Sequence, residues 1–254
     1  MKIGIIYTAF NTAEYLDASI APWLEARKNQ LNGNHFCVCA VSLPFKDFPS
    51  ERLDKTKQKL EALYDLDEID DLIVGPDSIP ETEARTLALK KLLGRQVDIV
   101  MQVDGDEFFT TEQIGGIFEF VAKNRFISWF RLSYKNYVFN EKTFLNEAFT
   151  PPRIYRTPYL DRFYDDNNLQ YKMSDGRVVK DLEMASLTIP KNVAWVKHLT
   201  WLSDERSKKK CEYQQKRWGA CSFRWDDEKN ELCFDEKYFS SRGLLPPEIS
   251  TENP

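Results

Sequence analysis

The stretch VDIVMQVDGDEFFT (97–110) is an apolar run that ends on Asp104, Asp106 and Glu107, set around a single glycine, Gly105. In an extended chain, residues two apart point the same way, so Asp104 and Asp106 can aim at one point. Gly105 lets the backbone come close to a ligand. Adjacent carboxylates repel one another and resist ionisation unless a cation or hydrogen-bond donors compensate. A hard divalent ion, Mg²⁺ or Mn²⁺, suits such an oxygen set. The plain alternative is an acidic loop opening the next helix, where Asp and Glu favour the dipole.

Spacing tests two further assignments. An EF-hand loop starting at Asp104 needs Asp or Asn at its fifth position and Gly at its sixth, where Phe108 and Phe109 stand, so it fails. Aspartyl-nucleophile phosphatases place a Thr two positions after their Asp-x-Asp, on the first core strand. Here Phe108 takes that place, on about the fourth predicted strand.

The elements that must position these acids alternate. The segments 2–7, 35–42, 71–74 and 97–103 are short, β-branched and apolar on both faces, as buried parallel strands are. Between them, 12–29, 50–65 and 81–94 carry apolar residues at three- and four-residue spacing, as amphipathic helices do. The alternation predicts an α/β fold, a mostly parallel sheet covered by helices, with ligands binding beyond the carboxyl ends of the strands. Thr110 three residues before Gln113 forms a capping-box pattern for a further helix over 110–124.

The second half changes character. Residues 125–139 are aromatic and strand-like, 150–158 are broken by prolines, and 164–177 read as a polar loop. Irregular strands and long functional loops are expected there, not a second core. Ser203, the acids that follow it and Gly219 suit a capped helix from about 204 to 218. The expected organisation is an α/β half (1–124), an acceptor-side half of the same domain (125–219) and a C-terminal extension (220–254).

Bulk properties exclude several classes. A net charge of −5 argues against a general nucleic-acid coat, although 206–218 carries six Lys/Arg against one Glu and could meet an anionic partner. Five cysteines with no CxxC pair read as free thiols of a reducing compartment. No run of about 18 apolar residues occurs and the N-terminal apolar stretch is short for a signal sequence, so a cytoplasmic protein without a transmembrane segment is expected.

Four segments in order resemble nucleotide-sugar glycosyltransferases of the GT-A fold, family-two-like branch. IIYTAFNTAEYLDASIAPWL is similar to the family's first strand, nucleotide-contacting loop and following helix. ETEARTLALKKLLGRQVDIVMQVDGDEFF resembles its Arg-bearing helix and the strand running into Asp-x-Asp. PPRIYR (151–156) resembles an Arg-bearing acceptor-side segment, and WVKHLTWLSDERSKKKCEYQQKRWG the stretch whose His completes the metal site. Together they cover roughly residues 1 to 219.

The resemblance implies a GT-A-like (Rossmann-like) sheet and transfer of a sugar from a nucleotide-sugar donor, a UDP-sugar, to a hydroxyl acceptor such as a glycan. If the acceptor were modified DNA, the basic run 206–218 would be the place to look. It implies Mn²⁺ or Mg²⁺ held by Asp104, Asp106 and His198, with Asp104 also near the ribose. Thr8, Ala9, Phe10 and Asn11 would face the base or ribose together with Ser42 and Gly105, and Arg85 would lie near the diphosphate. His35, the other histidine, opens a strand and reads as structural.

An inverting transfer needs a carboxylate to take the acceptor's proton. Relatives often carry a Glu-Asp pair for this between Asp-x-Asp and the His. This sequence departs from that, offering Asp175, Asp181 and Glu183, each of which also reads as a solvated surface acid. The rival functions are a Mg²⁺-dependent phosphatase or phosphotransferase and a non-catalytic nucleotide- or carbohydrate-binding module. Tryptophans 129, 195, 201, 218 and 225 could stack on sugar rings, although burial in a core is the commoner fate of Trp.

Overall fold

The computed structural model describes residues 1–44, 46, 54–145, 149–164, 168–202 and 205–252. The first part of the chain runs β1 (Lys2–Thr8), α1 (Ala13–Lys28), β2 (His35–Ser42), α2 (Thr56–Asp65), β3 (Asp71–Val74), α3 (Glu81–Gly94), β4 (Ile99–Asp104), β5 (Glu107–Phe108) and α4 (Thr111–Lys123). It continues with β6 (Trp129–Arg131), β7 (Ser133–Phe139), β8 (Thr143–Leu145), β9 (Pro152–Arg156), β10 (Leu160–Phe163), β11 (Leu169–Lys172), β12 (Val178–Lys180) and β13 (Ser186–Thr188). Last come β14 (Trp195–Leu202), α5 (Glu205–Trp218), β15 (Phe223–Asp226), β16 (Glu231–Phe234), α6 (Glu236–Ser241) and β17 (Ile249–Thr251).

The four expected strands and the helices between them are present. The N-terminal part of the 50–65 expectation lies outside the described residues. A seven-stranded sheet has the order β13-β6-β9-β4-β1-β2-β3. The β1/β2, β1/β4, β2/β3 and β13/β6 pairs are parallel, whereas β9 runs antiparallel to both of its neighbours. Ile3, Ile5, Val38, Ile99 and Val100 are all fully buried, as strands covered on both faces must be.

The capping box forms as expected: Gln113 N–H donates to Thr110 Oγ1 at 3.1 Å, and Thr110 N–H donates to Gln113 Oε1 at 2.9 Å. Thr110→Ala is therefore expected to lower stability by about 1 kcal/mol. Urea unfolding of the variant beside the parent checks this, and an unchanged midpoint contradicts it.

The second half holds one of the expected irregular strands, and one expectation for it is corrected. The proline-broken segment 150–158 contains β9, a strand inside the sheet. Pro152 is its first residue, a position where a missing N–H costs no ladder bond, and Arg153, Ile154 and Tyr155 behind it are buried. The segment read as a polar loop contains β11, whose Leu169 and Tyr171 are buried in a three-stranded sheet ordered β10-β11-β12.

The chain clusters into two compact units that cut across the expected boundaries. One gathers Met1–Lys46, Glu51–Ser133 and Thr150–Val196; the other is built mainly from Tyr134–Phe149 and Lys197–Pro254. The second unit has its own core, against expectation. Val138, Leu145, Trp201, Cys211, Cys221, Phe223 and Leu232 pack together, with Trp201 stacked on Phe223 at 4.7 Å between ring centroids. Aromatic residues that read as sugar-stacking candidates serve here as core, and in the first unit Trp129 is buried as well.

Helix α5 ends as expected at Gly219, which has φ +66 and donates its N–H to Gln215 O. The Ser203 cap lies outside the described residues. Among the described residues no helix is long and apolar enough to cross a membrane.

Candidate functional site

The site grows from the carboxyl edge of the parallel strands. In the β1/β4 register Asp104 lies beside Thr8, and Gly105 N–H donates to Thr8 O at 2.8 Å. A Cβ on residue 105 would meet Thr12 Oγ1 at 2.7 Å and the Ala9 Cβ at 3.1 Å. The glycine thus serves a close approach between two segments of the protein, the Asp-Gly-Asp turn and the loop after β1. Behind the turn, Phe108 packs edge-on against Tyr15 and Phe109 against Trp23, which anchors it to α1.

Two buried arginines hold the acids. Arg85, on α3, donates to Asp104 Oδ1 at 2.8 Å, pairs with Glu81 at 2.6 Å and reaches Gln102 Oε1 at 3.2 Å. Arg153, on β9, donates to Glu107 Oε1 at 2.7 Å and to Asp104 Oδ2 at 3.4 Å. Glu107 has no solvent exposure, and its Oε2 accepts the Asp104 N–H at 3.2 Å, closing the turn from within. Crowded carboxylates need donors or a cation, and here guanidinium and amide donors serve Asp104 and Glu107.

Asp106 is half-buried on the same turn. Its field reaches β1: burial pushes the Tyr7 hydroxyl far above its usual range, the Ser19 hydrogen bond opposes this, and Asp106, Asp104 and Glu107 add to the rise.

Of the expected nucleotide loop, Thr8 and Ala9 are buried, and Ala9 N–H is spent on Val41 O at 2.9 Å. Phe10 and Asn11 are partly exposed, and Asn11 adopts φ +54, the left-handed region an asparagine tolerates. The start of α1 is capped from within the protein. Thr12 N–H donates to Thr56 Oγ1 at 2.9 Å and Ala13 N–H to Asp54 Oδ2 at 2.8 Å, so these two amides are not offered to an anion. Ser42 is fully buried at the end of β2.

The candidate bases differ in surroundings. Asp181 is fully buried; its oxygens accept from Tyr164 Oη at 3.1 Å and from Leu169 N–H at 2.9 Å, which fastens β11. Asp175 is exposed and clasps Arg177, whose backbone N–H and side chain hold its carboxyl below the usual range. Glu183, also exposed, accepts the Lys180 N–H at 3.3 Å. The fastening of Asp181 gives it a structural task that a proton acceptor does not need.

His198 belongs to the second unit. Its Nδ1 lies 2.8 Å from Asn136 Oδ1 and its ring stands perpendicular to Tyr134. The basic run on α5 is largely engaged: Lys208 pairs with Asp227 at 2.8 Å, Lys210 lies over the Trp201 ring, and Lys209 pairs with Glu205.

Asp104 and Asp106 are the carboxylates that the resemblance assigns to a divalent ion, and both Asp104 oxygens already face the guanidinium groups of Arg85 and Arg153. Among the described residues no three His, Cys, Asp or Glu side chains converge as a ready cage.

No protein-family model matches the sequence, and no curated protein matches it. Among solved structures, the chain is similar to Staphylococcus aureus TarS 1-349 in complex with UDP-GlcNAc. The TM-score is 0.50 at 17% identity, over 78% of this chain and 58% of that one. TarS 1-349 alone aligns at a TM-score of 0.47 and 15% identity, over 85% of this chain and 64% of that one. The chain therefore spans 58% and 64% of the length of these two TarS structures, and 38% of a longer TarS structure. With its mostly parallel central sheet covered by helices, the fold is the GT-A-like α/β fold of TarS.

Proposed function

We propose that this chain is a metal-dependent glycosyltransferase that moves a sugar from a UDP-sugar donor to a hydroxyl acceptor. The observation that carries the reading is the Asp104-Gly105-Asp106 turn. It sits at the carboxyl edge of a GT-A-like sheet, pressed onto the loop after β1 and pinned by buried Arg85 and Arg153. Such a turn holds its carboxylates in place before any ligand arrives, which spares reorganisation when charge develops.

Asp106 and Asp104 would hold Mn²⁺ or Mg²⁺. The ion, when bound, supplies a positive charge against the diphosphate that leaves the anomeric carbon. Phe10 and Asn11, the partly exposed residues after β1, are the side chains offered to the nucleoside. The TarS structure holding UDP-GlcNAc supports the donor class. The acceptor's proton needs a base, and among Asp175, Asp181 and Glu183 the burial of Asp181 favours the other two.

Incubation of the chain with radiolabelled UDP-sugars and Mn²⁺ tests this. The expected outcome is release of UDP from one donor that stops when a chelator removes the metal. Phosphate release from phosphomonoesters would instead support a phosphotransferase. UDP-sugar binding without any turnover would leave a binding module and overturn the proposal.

A further inference from the structure

A cavity of about 400 Å³ opens at the amino edge of the seven-stranded sheet, the edge opposite the Asp-Gly-Asp turn. Asp98, Ala122, Arg125, Arg156, Thr157 and Pro158 are among the residues that line it. Chain direction explains the place. Asp98 precedes β4, whose far end is Asp104, and Arg156 lies opposite Ile99 in the β4/β9 register. Helix α4 starts beyond the turn and ends at Lys123, which carries Ala122 and Arg125 to the same edge. All of these residues belong to the first unit.

Arg156 is fixed in place. Its Nε donates to Ile127 O at 2.9 Å, and its Nη2 donates to Val121 O at 2.8 Å and to Asn124 O at 3.1 Å, so it satisfies carbonyls at the end of α4. Its remaining nitrogen, Nη1, makes no hydrogen bond among the described residues. Capping would account for Arg156 by itself, but not for Arg125. That arginine is exposed, lines the same cavity, and has neither an ion pair nor a hydrogen bond among the described residues. The acid in the lining pairs with neither of them: Asp98 Oδ2 accepts the Lys2 N–H at 2.7 Å and ties β4 to β1. Two guanidinium groups therefore share one partly enclosed space against a single carboxylate. Their mutual repulsion is felt at Arg156, which burial, and after it the Arg125 charge, holds below the usual arginine range, with Asp98 opposing.

We propose that this cavity binds a phosphomonoester, with Arg156 Nη1 and the Arg125 guanidinium as its donors. Guanidinium forks match phosphate oxygens, and a phosphomonoester near its dianionic form offsets both arginines where a carboxylate offsets one. The volume is that of a pocket for a whole small molecule and leaves most of its space empty around a lone ion. Phe126, the residue after Arg125, is 96% exposed and offers apolar surface to the carbon part of an ester. The same group comes from two sources, a soluble ester or the headgroup of a lipid such as phosphatidic acid. The site is remote from the Asp-Gly-Asp turn, so its occupancy is independent of the proposed transfer.

The test titrates the full chain with glycerol 3-phosphate by calorimetry, with glycerol as the blank, and sediments it with phosphatidylcholine vesicles that contain or lack phosphatidic acid. Binding of glycerol 3-phosphate assigns a soluble ester; binding confined to the phosphatidic acid vesicles assigns the headgroup. In either arm Arg125→Glu should bind about 10-fold or more weakly, the effect of losing one charged hydrogen-bond partner. Arg125 is exposed, so that variant is expected to fold, which its circular dichroism verifies. Lys123→Glu makes the same charge change at an exposed residue that pairs with Glu119 outside the lining, and it should bind as the parent does. A chain that binds neither probe overturns the proposal, as does an Arg125→Glu protein that binds like the parent or a Lys123→Glu protein that loses as much as Arg125→Glu.

Discussion

Arg153→Met is expected to destabilise the protein by roughly 3–5 kcal/mol, the cost of removing one partner from a buried ion pair. Arg153 is 4% exposed and its main partner Glu107 is 0% exposed, so the substitution leaves a carboxylate in a dry site with its charge uncompensated by that guanidinium. Glu107 Oε2 also accepts the Asp104 N–H at 3.2 Å, a neutral group that does not offset a charge as the guanidinium does. Methionine keeps much of the bulk, so the loss reads the charge and not a cavity. Arg153→Met combined with Glu107→Gln should recover part of it, because the pair is then removed together. Urea unfolding of the two variants and the parent checks both statements. A single-variant loss below about 1 kcal/mol would mean that the pair is solvated and that the turn owes its shape to something else.

The fold was legible because its first half is locally consistent. Ile3, Val38 and Val100 sit in short β-branched runs, the helices between them carry apolar stripes, and Thr110 with Gln113 announces its helix. What hid the second half was length and polarity. The strand β11 is four residues, Leu169–Lys172, flanked by Asn and Asp, and a strand that short is indistinguishable from a loop until its partners on β10 and β12 are known. Trp201 looked like a ligand-stacking residue for the same reason, since nothing local says that it faces Phe223.

The acids themselves were legible, and Arg85 was singled out through the resemblance. Arg153 stood in a segment noted for its arginines, but its task was not readable. The β4/β9 register runs Ile99 to Arg156 and Met101 to Ile154, and one step further sets Arg153 opposite Gln102, at the acidic end of β4. That antiparallel pairing is a long-range fact with no local signature. Once it is known, two further residues make sense: Gln102, a polar residue inside an apolar strand, receives Arg85 from α3, and Glu107 receives Arg153. Glu107, counted with Asp104 and Asp106 in the sequence, is thus a buried clamp and not a third group turned to a ligand.

That division of labour makes the second large prediction specific. On the proposed function, Asp106→Ala should reduce Mn²⁺-dependent UDP-sugar hydrolysis by about 100-fold or more, since even the outer partners of metal ligands are worth 10–100-fold. The variant retains the Arg85–Asp104 and Arg153–Glu107 pairs, so its unfolding midpoint should stay near the parent's. Asp104→Ala should behave differently. It removes a carboxylate that both buried arginines use, so activity and stability should fall together. Mn²⁺ titration by calorimetry in the presence of UDP, run beside the unfolding curves, separates the two roles. Weakened metal binding with unchanged stability identifies Asp106 as the ligand, whereas an Asp106→Ala protein that binds Mn²⁺ and turns over as the parent does removes the metal from this turn altogether.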